Sequence, residues 1–339
     1  MKTVIIPEPG QVKIIETEKA PRKKGEALLK ILYGGICGSD LGTYRGTFAY
    51  ASYPRIPGHE FSAEIIEIDD NDYNLKTGMI VTCNPYFNCG KCYSCQRGLV
   101  NCCTSNETLG AQRDGAFSQY ITMPLERIYD GKGLPAKTLA LIEPFCISYH
   151  GVSRANIKPG DNVLIVGAGT IGVLATIAAK AAKANVYISD ISKEKMDYAI
   201  KTFNLDGGIL NTNPKEFITR VNEITNNNLF DVTIEAVGLP ATFQNCIDAV
   251  TFGGRMVQIG VGKKNHDFDF TMLQKKELNV FGSRNALKKD FLELIDLVKS
   301  GAVDIEKIVT DTYTLDTADK AFADFSKNTA SMLKVIIKF

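Results

Sequence analysis

The chain has 339 residues, 45% of them hydrophobic and 23% charged, with a net charge of +1. This is an ordinary globular composition, and the length gives a prior of two domains. A near-neutral balance offers no field to gather nucleic acid or an acidic membrane surface. The basic run Arg22-Lys23-Lys24 is short and reads as a solvated loop. Pro7 and Glu8 interrupt the first residues before an apolar signal core can form. The uncharged run Val163 to Ala179 is broken by Gly167, Gly169 and Gly172, and falls short of the ~20 residues of a spanning helix. The expectation is a cytoplasmic protein with no membrane or nucleic-acid partner.

From residue 1 to about 148 the chain reads as short strands. Val4 to Ile6, Val12 to Ile15, Ala27 to Leu32, Phe61 to Ile68 and Met79 to Cys83 are β-branched or apolar runs. Pro, Gly and Asp/Asn punctuation separates them. Many short strands with turn signals predict a compact, barrel-like β domain. From 149 to 285 the pattern changes to alternation. Strands are predicted at Val163 to Val166, Val186 to Ser189, Gly208 to Leu210, Val232 to Glu235, Met256 to Ile259 and Asn279 to Phe281. Helical faces fall between the first of these, through Val173, Leu174, Ile177 and Ala181, then from Ser192 onward. Strands alternating with helices predict a parallel, doubly wound sheet. Residues 286–339 hold a helix (Phe291 to Lys299), an extended piece (Ile308 to Leu315), a helix (Ala318 to Phe325) and a last strand (Lys334 to Phe339). That tail is too small for a domain and is expected to pack back on the N-terminal one.

Nine cysteines are present, an odd number, and seven of them fall between Cys37 and Cys103. Without a signal peptide, metal ligation is the better reading than disulfides. Cys89, Cys92, Cys95 and Cys103 are separated by two, two and seven residues, within a lobe of about 83–105. Four thiolates suit a structural Zn²⁺, whose closed shell leaves no open position; an iron–sulfur site and free thiols are the alternative readings. Cys102 can replace Cys103 by register; Cys103 is favoured.

Gly167-Ala168-Gly169-Thr170-Ile171-Gly172 is a G-x-G-x-x-G between a predicted strand and a predicted helix. Asp190 ends the next strand, about 20 residues on, as a dinucleotide fingerprint requires. Gly167 makes the tight turn, and Gly169 admits the pyrophosphate to the helix N-terminus. Gly172 allows close packing, while Thr170 and Ile171 complete the turn. Asp190 accepts from ribose hydroxyls and repels a 2′-phosphate, which favours NAD over NADP. Lys193 and Lys195 lie close enough to soften that preference.

Cys37, His59, Glu60 and Glu143 offer thiolate, imidazole and carboxylate, the donors of an open catalytic zinc site. Their separation in sequence does not assemble them. Each has a plain structural reading: Cys37 as a small buried residue, His59 as a satisfied histidine, Glu143 as the start of a helix or turn before Pro144.

Gly35-Ile36-Cys37-Gly38-Ser39-Asp40, Gly58-His59-Glu60, the cysteine lobe, Glu143-Pro144 and Gly167 to Gly172 stand in an order that resembles the zinc-containing medium-chain dehydrogenases, the alcohol, sorbitol and threonine dehydrogenase family. The resemblance covers essentially the whole chain. It implies a GroES-like β-barrel catalytic domain closed by the C-terminal tail, a Rossmann domain, and an active site in the cleft between. It implies two zinc ions per chain and NAD. Cys37, His59 and either Glu60 or Glu143 hold the catalytic ion by this resemblance. Glu143 stands where the alcohol branch has cysteine, as in the polyol and threonine branch. Tyr53 to Glu60, Asn101-Cys102-Cys103, Leu141 to Phe145 and Gly282 to Ala286 look like bacterial dehydrogenases of L-galactonate, L-gulonate and related sugar acids. Galactitol-phosphate dehydrogenases are also similar.

The expected reaction is oxidation of a secondary hydroxyl, with Ser39 relaying the proton. Arg284 is the candidate partner for a substrate carboxylate, with a salt bridge or a cofactor phosphate contact as its plainer readings. Asn285 is the neighbouring substrate-binding candidate. Where many relatives carry a relay histidine this chain has Gly42. Relatives form homodimers and homotetramers. Phosphorylated-polyol or threonine-type chemistry, and a catalytically silent NAD-binding protein, are the competing readings.

Overall fold

The computed structural model describes residues 1–262 and 264–339. Two compact units form. One joins Met1–Glu143 to Leu287–Phe339, and the other is Pro144–Ala286.

The first unit is built on a seven-stranded sheet. Its strands run in the order Val309–Thr314, Lys334–Lys338, Glu26–Ile36, Glu60–Glu67, Ile80–Cys83 and Ile128–Asp130, and Tyr120–Pro124 also pairs with Glu26–Ile36. Glu26–Ile36 is the central strand. Its alternating residues Ala27, Leu29 and Ile31 pack with Phe61, Ala63, Ile65, Val81 and Met123 in one core. A second core gathers Val4, Ile36, Leu41, Phe117, Phe322, Val335 and Ile337. Strand alternation puts neighbouring residues on opposite faces, so one strand serves both. The tail thus contributes strand Lys334–Lys338 and helix Ala318–Lys327 to this unit.

Register does the positioning. Gly35 lies opposite Glu60, and Ile36 lies opposite Val335. The chain leaves the central strand towards Cys37 where the Glu60 strand and the Lys334 strand both begin. The apolar run in the sequence ends at Leu32, yet the central strand continues beyond it. Pairing on both sides carries it through to Ile36. Helix Gly38–Tyr44, strands Tyr120–Pro124 and Ile128–Asp130, and most of helix Ile142–Arg154 form beyond the elements expected from sequence. The first three are too short to show a hydrophobic period.

The second unit is a six-stranded parallel sheet. Its order is Gly207–Leu210, Asn185–Asp190, Asn162–Val166, Phe230–Glu235, Val250–Gln258, Asn279–Gly282. By strand number this is 3-2-1-4-5-6, the doubly wound arrangement, with its switch point between the first and fourth strands. All six expected strands form. Helices Thr170–Ala181, Lys193–Phe203, Pro214–Thr225 and Pro240–Ala249 lie between them. Local chemistry starts them. Ser192 caps one helix by accepting from Lys195 N–H, and Asn213 caps another by accepting from Lys215 and Glu216 N–H. Leu164, Val166, Phe217, Val221, Phe230, Ile247 and Met256 share a core. Among the described residues no helix is long and apolar enough to cross a membrane.

Candidate metal centres and dinucleotide turn

The ligand atoms of Cys89, Cys92, Cys95 and Cys103 lie within 4.8 Å of one another, and none of these cysteines is in a disulfide. Tetrahedral Zn–S bonds of about 2.3 Å separate sulfurs by roughly 3.8 Å, so the cluster is of the right size. Backbone N–H groups already point at the sulfurs. Cys92 N–H donates to Cys89 Sγ at 3.3 Å, while Cys103 Sγ accepts from Cys89 N–H at 3.2 Å and Ser105 N–H at 3.4 Å. Backbone N–H groups of Cys95 and Thr104 bring the Cys92 thiol down to about 5. Burial pushes Cys95 up to about 11, and its thiol neighbours add to that rise. Four thiols in so small a space need a cation to ionise together. Cys103 is buried and belongs to the cluster, whereas Cys102 is exposed.

A second cluster unites Cys37, His59 and Glu60, again with ligand atoms within 4.8 Å. Cys37 is the N-cap of helix Gly38–Tyr44, and Glu60 opens its strand. Gly58 delivers His59 between them. Its φ is 101°, and a Cβ there would stand 2.1 Å from the Phe117 ring. Only glycine allows both the backbone and the contact.

Three neighbours with no role expected from sequence, Asp40, Lys334 and Tyr86, surround this centre. Asp40, fully buried, accepts from Cys37 N–H at 2.9 Å and Gly58 N–H at 3.2 Å. It therefore ties together the two segments that carry Cys37 and His59. Its Oδ1 is 3.9 Å from His59 Nδ1. Burial disfavours protonation of His59, but the Asp40 and Cys37 charges outweigh it and hold its pKa well above the ordinary value. Lys334 forms a buried ion pair with Glu60 and donates to the Ile36 carbonyl at 3.2 Å. Tyr86 donates its hydroxyl to Glu143, which is buried in the first turn of helix Ile142–Arg154. Asp40 had a local signal, three residues after Cys37 in a capping position. Lys334 had none, because 274 residues separate it from Glu60.

Glu143 is close enough to feel His59 and Glu60, yet it is outside the three-residue cluster. Burial first, and Glu60 second, raise its carboxyl to about 7, against the pull of His59 and the Tyr86 hydrogen bond. The donor set fits a divalent zinc: a thiol, an imidazole and a carboxylate converge, with their ligand atoms within 4.8 Å of one another. Ser39 is half-buried in the first turn after Cys37. Gly42 lies under Phe48, whose Cβ is 3.1 Å from where a side chain would begin, so this helix has little room for a larger residue there.

In the second unit the glycine turn adopts the fingerprint geometry. Gly167 has φ 113° and donates its N–H to Ser189 O at 2.7 Å. A Cβ on Gly172 would be 1.8 Å from Gly167 O, which excludes every side chain. Gly169 caps helix Thr170–Ala181, whose first turn contains Thr170 and Ile171. Asp190 accepts from Ala168 N–H at 2.6 Å and Ser192 N–H at 2.8 Å, which fixes its carboxylate beside the turn. Lys195 is half-buried; burial lowers its pKa, and the Asp190 charge opposes this. Lys193 instead pairs with Asp197 on the helix surface. Arg284 is exposed and Asn285 is half-buried with φ 50°, both just beyond strand Asn279–Gly282.

Residues 23–132 match the family described as "Alcohol dehydrogenase GroES-like domain", and residues 170–300 match "Zinc-binding dehydrogenase". The chain is 33% identical to an L-galactonate-5-dehydrogenase of Escherichia coli K12, over 100% of its length and 99% of that protein. It is 30% identical to a sorbitol dehydrogenase of Halalkalibacterium halodurans, covering 92% of each. Its fold superposes with a TM-score of 0.92 on the crystal structure of an alcohol dehydrogenase, rspB, from E. coli CFT073 complexed with NADH, at 29% identity over 100% of this chain and 99% of that one. With both family models matched and a full-length relative at 33% identity, this protein belongs to the zinc-containing medium-chain alcohol dehydrogenase family, oxidoreductases acting on CH–OH groups.

Proposed function

We propose that the protein oxidises a secondary hydroxyl of a sugar acid, of the L-galactonate or L-gulonate kind, with NAD as acceptor. The observation that carries this reading is the convergence of Cys37, His59 and Glu60 in a chain that also holds the glycine turn with Asp190 at its side. Polyol and sugar-acid activities in the names of similar proteins support the substrate class.

Cys37, His59 and Glu60 hold the catalytic zinc in this reading, and Glu143 stands behind them, engaged by Tyr86. Bound zinc supplies a Lewis acid that lowers the pKa of the substrate hydroxyl. Asp40 keeps the Cys37 and Gly58 backbones in place and biases the tautomer of His59. Ser39 receives the hydroxyl proton, and Gly42 leaves water to carry it onward. Cys89, Cys92, Cys95 and Cys103 hold the structural zinc. NAD, when bound, supplies the hydride acceptor. The helix N-terminus at Gly169 to Gly172 receives its pyrophosphate. Asp190 and Lys195 face its adenosine ribose, and the Asp190 charge disfavours a 2′-phosphate. Arg284 and Asn285 serve the substrate carboxylate and its neighbouring hydroxyl. Self-association belongs to the same reading: strand Asn279–Gly282 ends its sheet with Val280 exposed, and a second copy can add there.

The test is a panel of L-galactonate, L-gulonate, L-idonate, sorbitol, galactitol 1-phosphate and L-threonine with NAD and NADP, followed by reduced-cofactor absorbance. Sugar acids with NAD should give the highest kcat/KM. Cys37→Ser should abolish turnover and remove one zinc per chain while NADH still binds. Turnover retained in that variant would overturn the catalytic role of the cluster.

A further inference from the structure

Glu235 ends strand Phe230–Glu235, has no exposed surface, and among the described residues is hydrogen-bonded by neutral donors. Its Oε1 accepts from Val237 N–H at 2.9 Å, Gly238 N–H at 2.8 Å and the Thr242 hydroxyl at 2.6 Å. Its Oε2 accepts from the Gln258 amide. Gln258 in turn gives its second amide hydrogen to the Gly260 carbonyl at 2.7 Å. One carboxylate therefore holds the loop after its own strand, the start of helix Pro240–Ala249, and the end of the neighbouring strand.

Its position gives this a purpose. Glu235 is the register partner of Val166, the residue before the glycine turn, across the switch point of the sheet. Ala236 N–H donates to Val166 O at 2.9 Å. A Cβ on Gly167 would stand 2.6 Å from Val237 Cγ2, so the held loop lies against the turn. Gly238 is as close to Val261, with its virtual Cβ 2.5 Å from Val261 O. The loop leaves Val237, Leu239 and Val261 exposed, three apolar side chains at the carboxyl ends of the strands. Ligands of doubly wound sheets bind outside those ends, across the switch point. Asp190 lies on the other side of that point, at the end of the second strand.

We infer that Glu235 is a positioning residue for the nicotinamide half of the cofactor: it clamps the loop 236–242 and residues 258–261 into a fixed apolar ledge beside the glycine turn. The inference rests on the NAD-dependent reading above and extends it to a residue that contacts no ligand itself. The four described groups hydrogen-bonded to the carboxylate all act as donors. An amide in its place either turns its N–H₂ against one of these donors or is met by a flipped Gln258, which then loses its bond to the Gly260 carbonyl; the ledge loosens on that side in either case.

The experiment compares NADH with ADP-ribose, which has the adenosine, pyrophosphate and ribose but no nicotinamide. Dissociation constants are measured by NADH fluorescence and by calorimetry, on wild type, Glu235→Gln and Thr242→Val. Glu235→Gln should weaken NADH about tenfold, while ADP-ribose stays within about twofold of wild type. Retained ADP-ribose binding also shows that the variant is folded. Thr242→Val removes one donor of the four and should move NADH in the same direction by about threefold. Equal loss for both ligands, no change for either, or tighter NADH binding in Glu235→Gln would each overturn the inference. Failure of the wild type to bind NADH would instead overturn the functional reading beneath it.

Discussion

Lys334 and Glu60 form an ion pair in which both side chains are 1% exposed, although 274 residues separate them. The last strand of the chain places an ammonium against a carboxylate of the candidate catalytic metal centre. Gly35 makes room for it; a Cβ there would stand 2.2 Å from Glu60 Oε2 and 2.9 Å from Lys334 Cε. Removing one partner of a buried pair costs about 3–5 kcal/mol, since the other charge stays buried alone. Lys334→Met should therefore destabilise the zinc-free protein by about that amount in urea unfolding followed by circular dichroism. The zinc-loaded protein should lose less, because the bound cation then compensates Glu60. An equal loss in both forms would separate Glu60 from the metal.

Cys103 and Cys102 are adjacent in sequence and opposite in environment. Cys103 is buried with two N–H donors on its sulfur, and Cys102 is exposed. Cys103→Ser should lower the metal content from two zinc per chain to about one and loosen the lobe. Cys102→Ser should retain both ions. Atomic emission on the purified proteins checks this, and the opposite pattern would move the fourth ligand to Cys102.

Gly58 sets His59 in place through a positive φ and through contact with Phe117. Gly58→Ala meets both obstacles. The backbone alone costs about 1–2 kcal/mol, and the ring has to move as well. The expected outcome is a lower melting temperature together with weaker zinc retention in a chelator competition. A variant of normal stability that holds zinc normally would show that the loop tolerates the shift.

Asp190 is held by two backbone N–H groups beside the glycine turn. Asp190→Ala should raise KM for NAD about tenfold or more, because the ribose loses its acceptor and the turn loses its brace. Discrimination against NADP should fall at the same time, as the repelling charge is gone. Steady-state kinetics with both cofactors at one ionic strength decide it; unchanged discrimination would assign the preference elsewhere.

The sequence by itself determined what local chemistry can encode. The glycine turn, Asp190 at the end of the next strand, and Cys89, Cys92 and Cys95 in one short lobe carry their signals within a few residues of spacing. The alternation of strands and helices from 149 to 285 specified the doubly wound sheet for the same reason, because each strand and helix buries its own periodic face. Tertiary structure decided everything that depends on register between distant strands. Pairing Gly35 with Glu60 and Ile36 with Val335 brings Cys37, His59, Glu60 and Lys334 to one place. It leaves Glu143 outside the three-residue cluster, bonded to Tyr86. Pairing Val166 with Glu235 puts a buried carboxylate beside the glycine turn. A carboxylate in a sequence is only a charge; whether it meets a metal, an ammonium or a set of N–H groups depends on which strand ends the sheet aligns.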